Sequence, residues 1–231
     1  MIEVKNIVKK YKRKTVLNDV SFTIKEGRIT CLLGINGVGK STTLKAIMGL
    51  IPINSGEILI DGEKISPSVY NKIAFIPDVL ENYPNFTIGE QFEFMSTFYD
   101  NWDNDKAERM LQYFKLTKDK KISELSKGNA ARVKLITGFA QKSKYLLMDE
   151  PFSGIDFLTR EDFIGAMTGE FAEDGQSILI TTHEIMEIEN IADDVILLED
   201  GKVVKQFSAE EEREMNGQSI TDVMREVYRN A

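Results

Sequence analysis

The chain has 231 residues, enough for one large α/β domain with a substantial core. A formal net charge of −8 argues against a general nucleic-acid binder, which neutralises phosphates with surplus lysine and arginine, so no nucleic-acid partner is expected. The single Cys31, inside the apolar run ITCLL, excludes an internal disulfide framework and fits a buried strand thiol in a reducing cytosol; no stretch reaches the roughly 18 consecutive apolar residues of a membrane span, and MIEVKNIVKKYK lacks the apolar segment of a signal peptide.

Two alternating segments, IEVKNIV and TVLNDVSFTI, predict a β-rich N-terminal part, read as an antiparallel β-subdomain. EGRITCLLG follows, an apolar run that ends in glycine just ahead of a helical pattern. GEILIDG and KIAFIP predict further strands. Between Thr87 and about Lys142, the stretches IGEQFEFMSTFY, NDKAERMLQYFKL and GNAARVKLITGFAQ carry apolar residues at spacings of three and four, which predicts an inserted helical lobe. Strand patterns resume at KYLLMDEP, SILITTHE and DVILLED, alternating with helical stretches in the rhythm of a mostly parallel sheet. EDGKVVKQF predicts a closing hairpin, and SAEEEREM and TDVMREVYRN two short polar helices. The expected organisation is one α/β unit with a core over 1–77 and 143–207, a helical lobe over 78–142 and C-terminal helices over 208–231.

GINGVGKST matches G-x-x-x-x-G-K-[ST] through Gly34, Gly39, Lys40 and Ser41, between a strand and a helix, which is the context that gives the motif its meaning as a P-loop. Glycine lets backbone wrap closely around anionic oxygens, and the N–H groups of the loop and the helix start supply partial positive charge. Gly34, Asn36, Gly37, Val38, Gly39, Lys40, Ser41 and Thr42 are therefore candidate contacts to the phosphates of ATP, with Lys40 reaching the β- and γ-phosphates and Ser41 holding Mg²⁺. KYLLMDEP ends an apolar strand in two carboxylates. Asp149 is placed to reach Mg²⁺ through water, and Glu150 to deprotonate an attacking water.

LSKGNAARVKL looks like a second anion cradle: Ser126 can cap a helix, and Gly128 keeps the backbone open at the positive end of its dipole. Taken alone, it reads better as an ordinary capped helix. In company with GINGVGKST, MDEP, SGID and TTHE in this order, nearly the whole chain resembles the ATP-binding subunit of ABC transporters.

That resemblance implies a P-loop NTPase core and a head-to-tail dimer, with a second copy or a related ATPase, in which Ser126 and Gly128 touch the γ-phosphate bound by the opposing subunit. It further implies that Tyr11 stacks on adenine, that Ser153 to Asp156 cross the dimer, and that His183, the only histidine, contacts the γ-phosphate and holds the attack geometry. Asp78 stands where the family usually has a glutamine that touches Mg²⁺, and LSKGN replaces the commoner LSGGQ. Transmembrane permease subunits are the implied partners, holding the chain on the cytoplasmic face of the membrane, and Val79, Leu80 and Tyr83 are candidates for the groove that receives a permease helix. FYDNWD and Asp78 are similar to ATPases of Gram-positive peptide exporters such as that for phenol-soluble modulins. Two rivals are a soluble ABC ATPase of translation or DNA repair, disfavoured by the lack of a second P-loop or long heptad array, and a stand-alone kinase or GTPase, which needs no LSKGN.

Overall fold

The computed structural model describes residues 1–78, 83, 85–169 and 171–229. Two sheets organise it. The first contains β1 (Ile2–Tyr11), β2 (Lys14–Ile24), β4 (Ser55–Ile60) and β5 (Glu63–Lys64), antiparallel throughout, in the order β2-β1-β4-β5. The second contains β3 (Ile29–Leu33), β6 (Ile73–Ile76), β7 (Tyr145–Asp149), β8 (Ser177–Thr182), β9 (Asp194–Glu199) and β10 (Lys202–Ser208), in the order β10-β9-β3-β8-β7-β6. All its pairings are parallel except that of β10 with β9. That hairpin turns at Asp200 and Gly201, both at positive φ, as a two-residue Asp-Gly turn requires.

The parallel strands are apolar on both faces, and alternation along each one sends successive side chains to different cores. Leu32, Leu147, Leu179 and Ile196 face the antiparallel sheet and α1 (Lys40–Ile47), which contributes Leu44 and Ile47. Cys31, Leu33, Leu146, Met148, Ile178 and Ile180 face the opposite way, into a core shared with α3 (Ile88–Phe98), α4 (Asn104–Tyr113), α5 (Lys127–Phe139) and α6 (Phe157–Thr168). Cys31 is fully buried, as its run implies, and burial drives its thiol pKa far up. A one-turn helix, α2 (Pro67–Tyr70), is started by proline where the sequence carried no helical periodicity.

The helical region forms where the spacing of three and four placed it. Thr87 and Glu90 close a capping box at the head of α3, Asp103 caps α4, and Ser126 caps α5. The two C-terminal helices, α7 (Ala209–Asn216) and α8 (Ile220–Arg229), are present, but α8 is amphipathic rather than polar. It buries Ile220, Val223 and Met224, and its first turn donates from the Ile220 and Thr221 N–H groups to the Glu189 carboxylate at 2.9 and 3.1 Å.

Candidate functional site

Strand register decides which residues meet. In the order β3-β8-β7, Leu33 pairs with Thr182 and Asp149 with Thr181, so three carboxyl ends lie level on one edge of the sheet. Ligands of open α/β sheets bind outside such ends. Directly after them come the P-loop, His183 and Glu150.

The loop leaving β3 must turn sharply back into α1, and its glycines allow that. Gly37 and Gly39 have φ of 87° and 115°; a Cβ on Gly39 would stand 2.7 Å from Leu17 Cδ2. The Gly39 carbonyl accepts from the Thr43 N–H and hydroxyl at 2.8 and 2.9 Å, which anchors the first turn of α1. Asn36 and Gly37 are exposed at the mouth, while Val38, Gly39 and Lys40 are buried.

Lys40 Nζ donates to the Gly34 carbonyl at 2.7 Å and pairs with Glu150 Oε1 at 3.1 Å. On its other oxygen, Glu150 meets His183 Nδ1 at 2.9 Å, the contact of an Nδ1–H donating to a carboxylate. Glu150 itself sits at φ 46°, a conformation that costs a non-glycine residue energy, and it is held there by its N–H donating to the Thr181 carbonyl at 3.0 Å. Asp149 is buried; its Oδ1 accepts from the hydroxyls of Ser41 at 2.9 Å and Thr181 at 2.7 Å. A cleft of about 340 Å³ gathers these groups and is lined by Val16, Asn36, Gly37, Gly39, Lys40, Ser41, Thr42, Asp78, Glu150, Ser153 and His183.

Among the described residues there is no group of three or more histidine, cysteine, aspartate or glutamate side chains that could hold a metal by itself. A Mg²⁺ that arrives on a triphosphate needs only one or two protein oxygens, the rest coming from phosphate and water. Ser41 Oγ and Asp149 Oδ1, 2.9 Å apart beneath the cleft, fit that donor set. Asp78, exposed beyond the end of β6, lines the same cleft and brings a third carboxylate to its edge.

Ser126 and Gly128 lie elsewhere. Ser126 is exposed at the head of α5, its hydroxyl accepting from the Asn129 N–H at 3.3 Å, and neither residue lines the cleft. Gly128 packs on the start of α6, where a Cβ would come within 2.8 Å of Thr159 Oγ1. Between the two, Ser153 reaches the cleft, and Asp156 caps α6, its carboxyl held below the ordinary range by the Thr159 N–H and hydroxyl. From α6, Arg160 reaches Glu184 and Glu187 on the segment that follows His183. Tyr11 does not line the cleft either. It stands exposed at the β1–β2 turn with Lys9 Nζ 4.7 Å from its ring centroid.

Next to this cleft, and sharing Ser41 and Asp78 with it, opens a larger one of about 580 Å³ whose walls include Leu50, Tyr70, Phe75, Pro77, Tyr99 and Asp149. Tyr83 borders an adjoining groove and stacks on Phe86 at 4.7 Å and against Phe94 at 5.0 Å. Val79 and Leu80 lie outside the described residues. Three contributors escaped the sequence reading. Thr181, in TTHE, carried a signal; Val16 and Lys134, whose ammonium holds backbone beside Asp78, carried none.

Residues 17–153 match the family model described as ABC transporter. The ABC transporter ATP-binding protein YtrB of Bacillus subtilis (strain 168) is 35% identical over 93% of this chain and 74% of its own length. From the same organism, the petrobactin import ATP-binding protein YclP is 31% identical over 99% of this chain and 92% of its own, and the SkfA peptide export ATP-binding protein SkfE is 31% identical over 89% and 88%. A solved ATP binding subunit of an ABC transporter superposes with a TM-score of 0.88 at 29% identity, covering 99% of both chains. The dimeric structure of MJ0796, a bacterial ABC transporter cassette, does so at 0.78 and 27% identity, over 90% of this chain and 98% of that one.

Proposed function

The chain belongs to the ABC transporter ATP-binding subunits, ATPases by family, and from that premise we propose how its residues divide the work of hydrolysis. Arriving ATP takes Lys40 from the Gly34 carbonyl and from Glu150, exchanging an internal ion pair for one with the β- and γ-phosphates. P-loop N–H groups and the start of α1 hold the remaining oxygens. Ser41 and Asp149 hold Mg²⁺, with Asp78 as a further contact, and the ion when bound offsets the charge of the phosphates.

Glu150, freed from Lys40, takes a proton from water as the water oxygen bonds to the γ-phosphorus and the bond to the β-phosphate bridging oxygen breaks. His183 keeps the Glu150 carboxylate oriented and contacts the γ-phosphate. Tyr11 offers its ring to adenine. The observation that carries this reading is the Glu150 carboxylate at the mouth of a P-loop, with Lys40 Nζ 3.1 Å from one of its oxygens and His183 Nδ1 2.9 Å from the other.

Because Ser126 is exposed and outside the cleft of its own chain, its phosphate contact is made to a second subunit, a copy or a relative, in a head-to-tail pair that closes on two ATP molecules. Cleavage removes the bridging γ-phosphates and lets the pair reopen. No helix among the described residues is long and apolar enough to cross a membrane, so the membrane path belongs to separate permease subunits, against which the aromatic groove near Tyr83 and Tyr99 docks on the cytoplasmic side.

Export of peptides or antimicrobial compounds is supported by the FYDNWD and Asp78 resemblance and by likeness to SkfE; YclP, equally similar, sits on the import side, so direction is tested by efflux against uptake in cells carrying the ATPase with its permease. The dimer reading is tested by mixing the Glu150→Gln chain with MgATP and measuring mass by ultracentrifugation. A species that stays monomeric at high protein and nucleotide rejects it.

A further inference from the structure

β6 is the outer strand of the six-stranded sheet, and its ladder with β7 stops at the pair Ile76 and Met148. Pro77, next in the chain, has no N–H to donate, so the backbone here leaves the sheet. The carbonyls of Pro77 and Asp78 are taken up by a side chain instead: Lys134 Nζ donates to them at 2.7 and 2.6 Å.

Lys134 lies two turns into α5 from Ser126 and one turn before Gly138. Gly138 packs so closely on β6 that a Cβ there would stand 2.5 Å from Ile76 Cδ1. α5 is therefore fastened to the end of β6 on successive turns, once by apolar contact and once by an ammonium. Burial pulls the Lys134 pKa down, and the carboxylates of Asp78 and Asp149 oppose that pull in part. On the other side, Arg132 of the same helix binds Asp162 of α6 at 2.6 Å. An ammonium bonded to two successive carbonyls leaves the Asp78 corner little freedom to move without α5.

We propose that Lys134 is a positioning residue that ties the Asp78 corner of the cleft to α5, so that filling the cleft sets where Ser126 is presented to the second subunit. The inference rests on the reading of Ser126 as a contact to the partner's nucleotide. Lys134 touches neither nucleotide nor reacting atoms in this account. It acts through Asp78 on one side and through the helix on the other.

The test compares Lys134→Met and Lys134→Arg in the Glu150→Gln background for ATP binding and association, and in the parent for turnover. Lys134→Met is expected to bind ATP as a monomer within about twofold of its background while ATP-driven association and kcat fall about tenfold, as loss of a charged hydrogen-bond donor implies, with KM little changed. Lys134→Arg is expected to restore most of both. Association and kcat within twofold of the parent overturn the proposal, and so does a parallel loss of monomer ATP affinity that Arg fails to rescue, which marks a merely structural role. If thermal melts show Lys134→Met to be unfolded, Lys134→Gln, which keeps a donor group but no charge, is held to the same criteria. Failure of Glu150→Gln alone to associate with ATP rejects the reading of Ser126, whereas a Glu150→Gln dimer indifferent to Lys134 rejects this inference by itself.

Discussion

Replacing Glu150 with glutamine separates the chemistry at this cleft from its architecture. The amide has the shape of the carboxylate and keeps one acceptor oxygen for Lys40, 3.1 Å from Oε1; its NH2 then faces His183 Nδ1, 2.9 Å from Oε2, which keeps a partner by taking the tautomer in which Nδ1 accepts. The positive φ of 46° is equally strained for either side chain, so folding stability should change little. What disappears is the proton acceptor, which at such sites contributes about 10²–10⁴ in rate, or about 3–5 kcal/mol of barrier at 1.36 kcal/mol per decade.

Affinity should move the other way. Glu150 competes with ATP for Lys40 and places negative charge beside the triphosphate, so the variant is expected to bind ATP as tightly as the parent or tighter. Phosphate release at saturating MgATP gives kcat, and titration with a fluorescent nucleotide gives Kd. Turnover above about a tenth of the parent's removes Glu150 as the base, since a base contributes more than that. A Kd weakened in step with kcat would instead mean that Glu150 holds the loop together.

Ser126→Arg places a bulky cation at the exposed head of α5; it is expected to abolish ATP-driven association of the Glu150→Gln chain while leaving monomer Kd unchanged, as sedimentation and titration would report. Gly138→Ala forces a methyl to within 2.5 Å of Ile76 Cδ1, where Ile76 is too buried to swing away; urea melts should show a loss of about 1–3 kcal/mol, partly recovered in the double variant with Ile76→Val, and a stabilised single variant would contradict the packing. Asp61 pairs with Lys144 and Tyr145 at 2.8 and 2.6 Å; burial pushes its carboxyl up, but these bonds and the Met1 amine outweigh burial and hold it well below the usual range. Its stabilisation is thus complete above the unfolded value of about 4 and fades as pH falls below it. The Tm gap between parent and Asp61→Asn should be widest near neutrality and shrink on acidification; a gap that widens there reverses the sign.

Much of this protein is legible in short windows of its sequence because the relevant physics is local. A P-loop is contiguous, and its glycines at positive φ are needed wherever the rest of the chain goes; Thr87 with Glu90 and Ser126 with Asn129 are caps closed within four residues; Asp200 and Gly201 make their turn alone. Continuous apolar runs alternating with helical stretches likewise point to a mostly parallel sheet without reference to packing. Other facts depend on strand order and helix docking, which join residues far apart in the chain. Parallel register brought Glu150 to His183 and Asp149 to Thr181. The docking of α5 on β6 laid Lys134 over Pro77 and Asp78, and the same placement kept Ser126 away from its own cleft. Tyr11, proposed as the adenine contact, stands exposed at the β1–β2 turn, and it is Val16, further along the same hairpin, that reaches the wall of the cleft. A lysine in a helix has many possible partners within reach of its long side chain, and only the fold selects which carbonyls it meets.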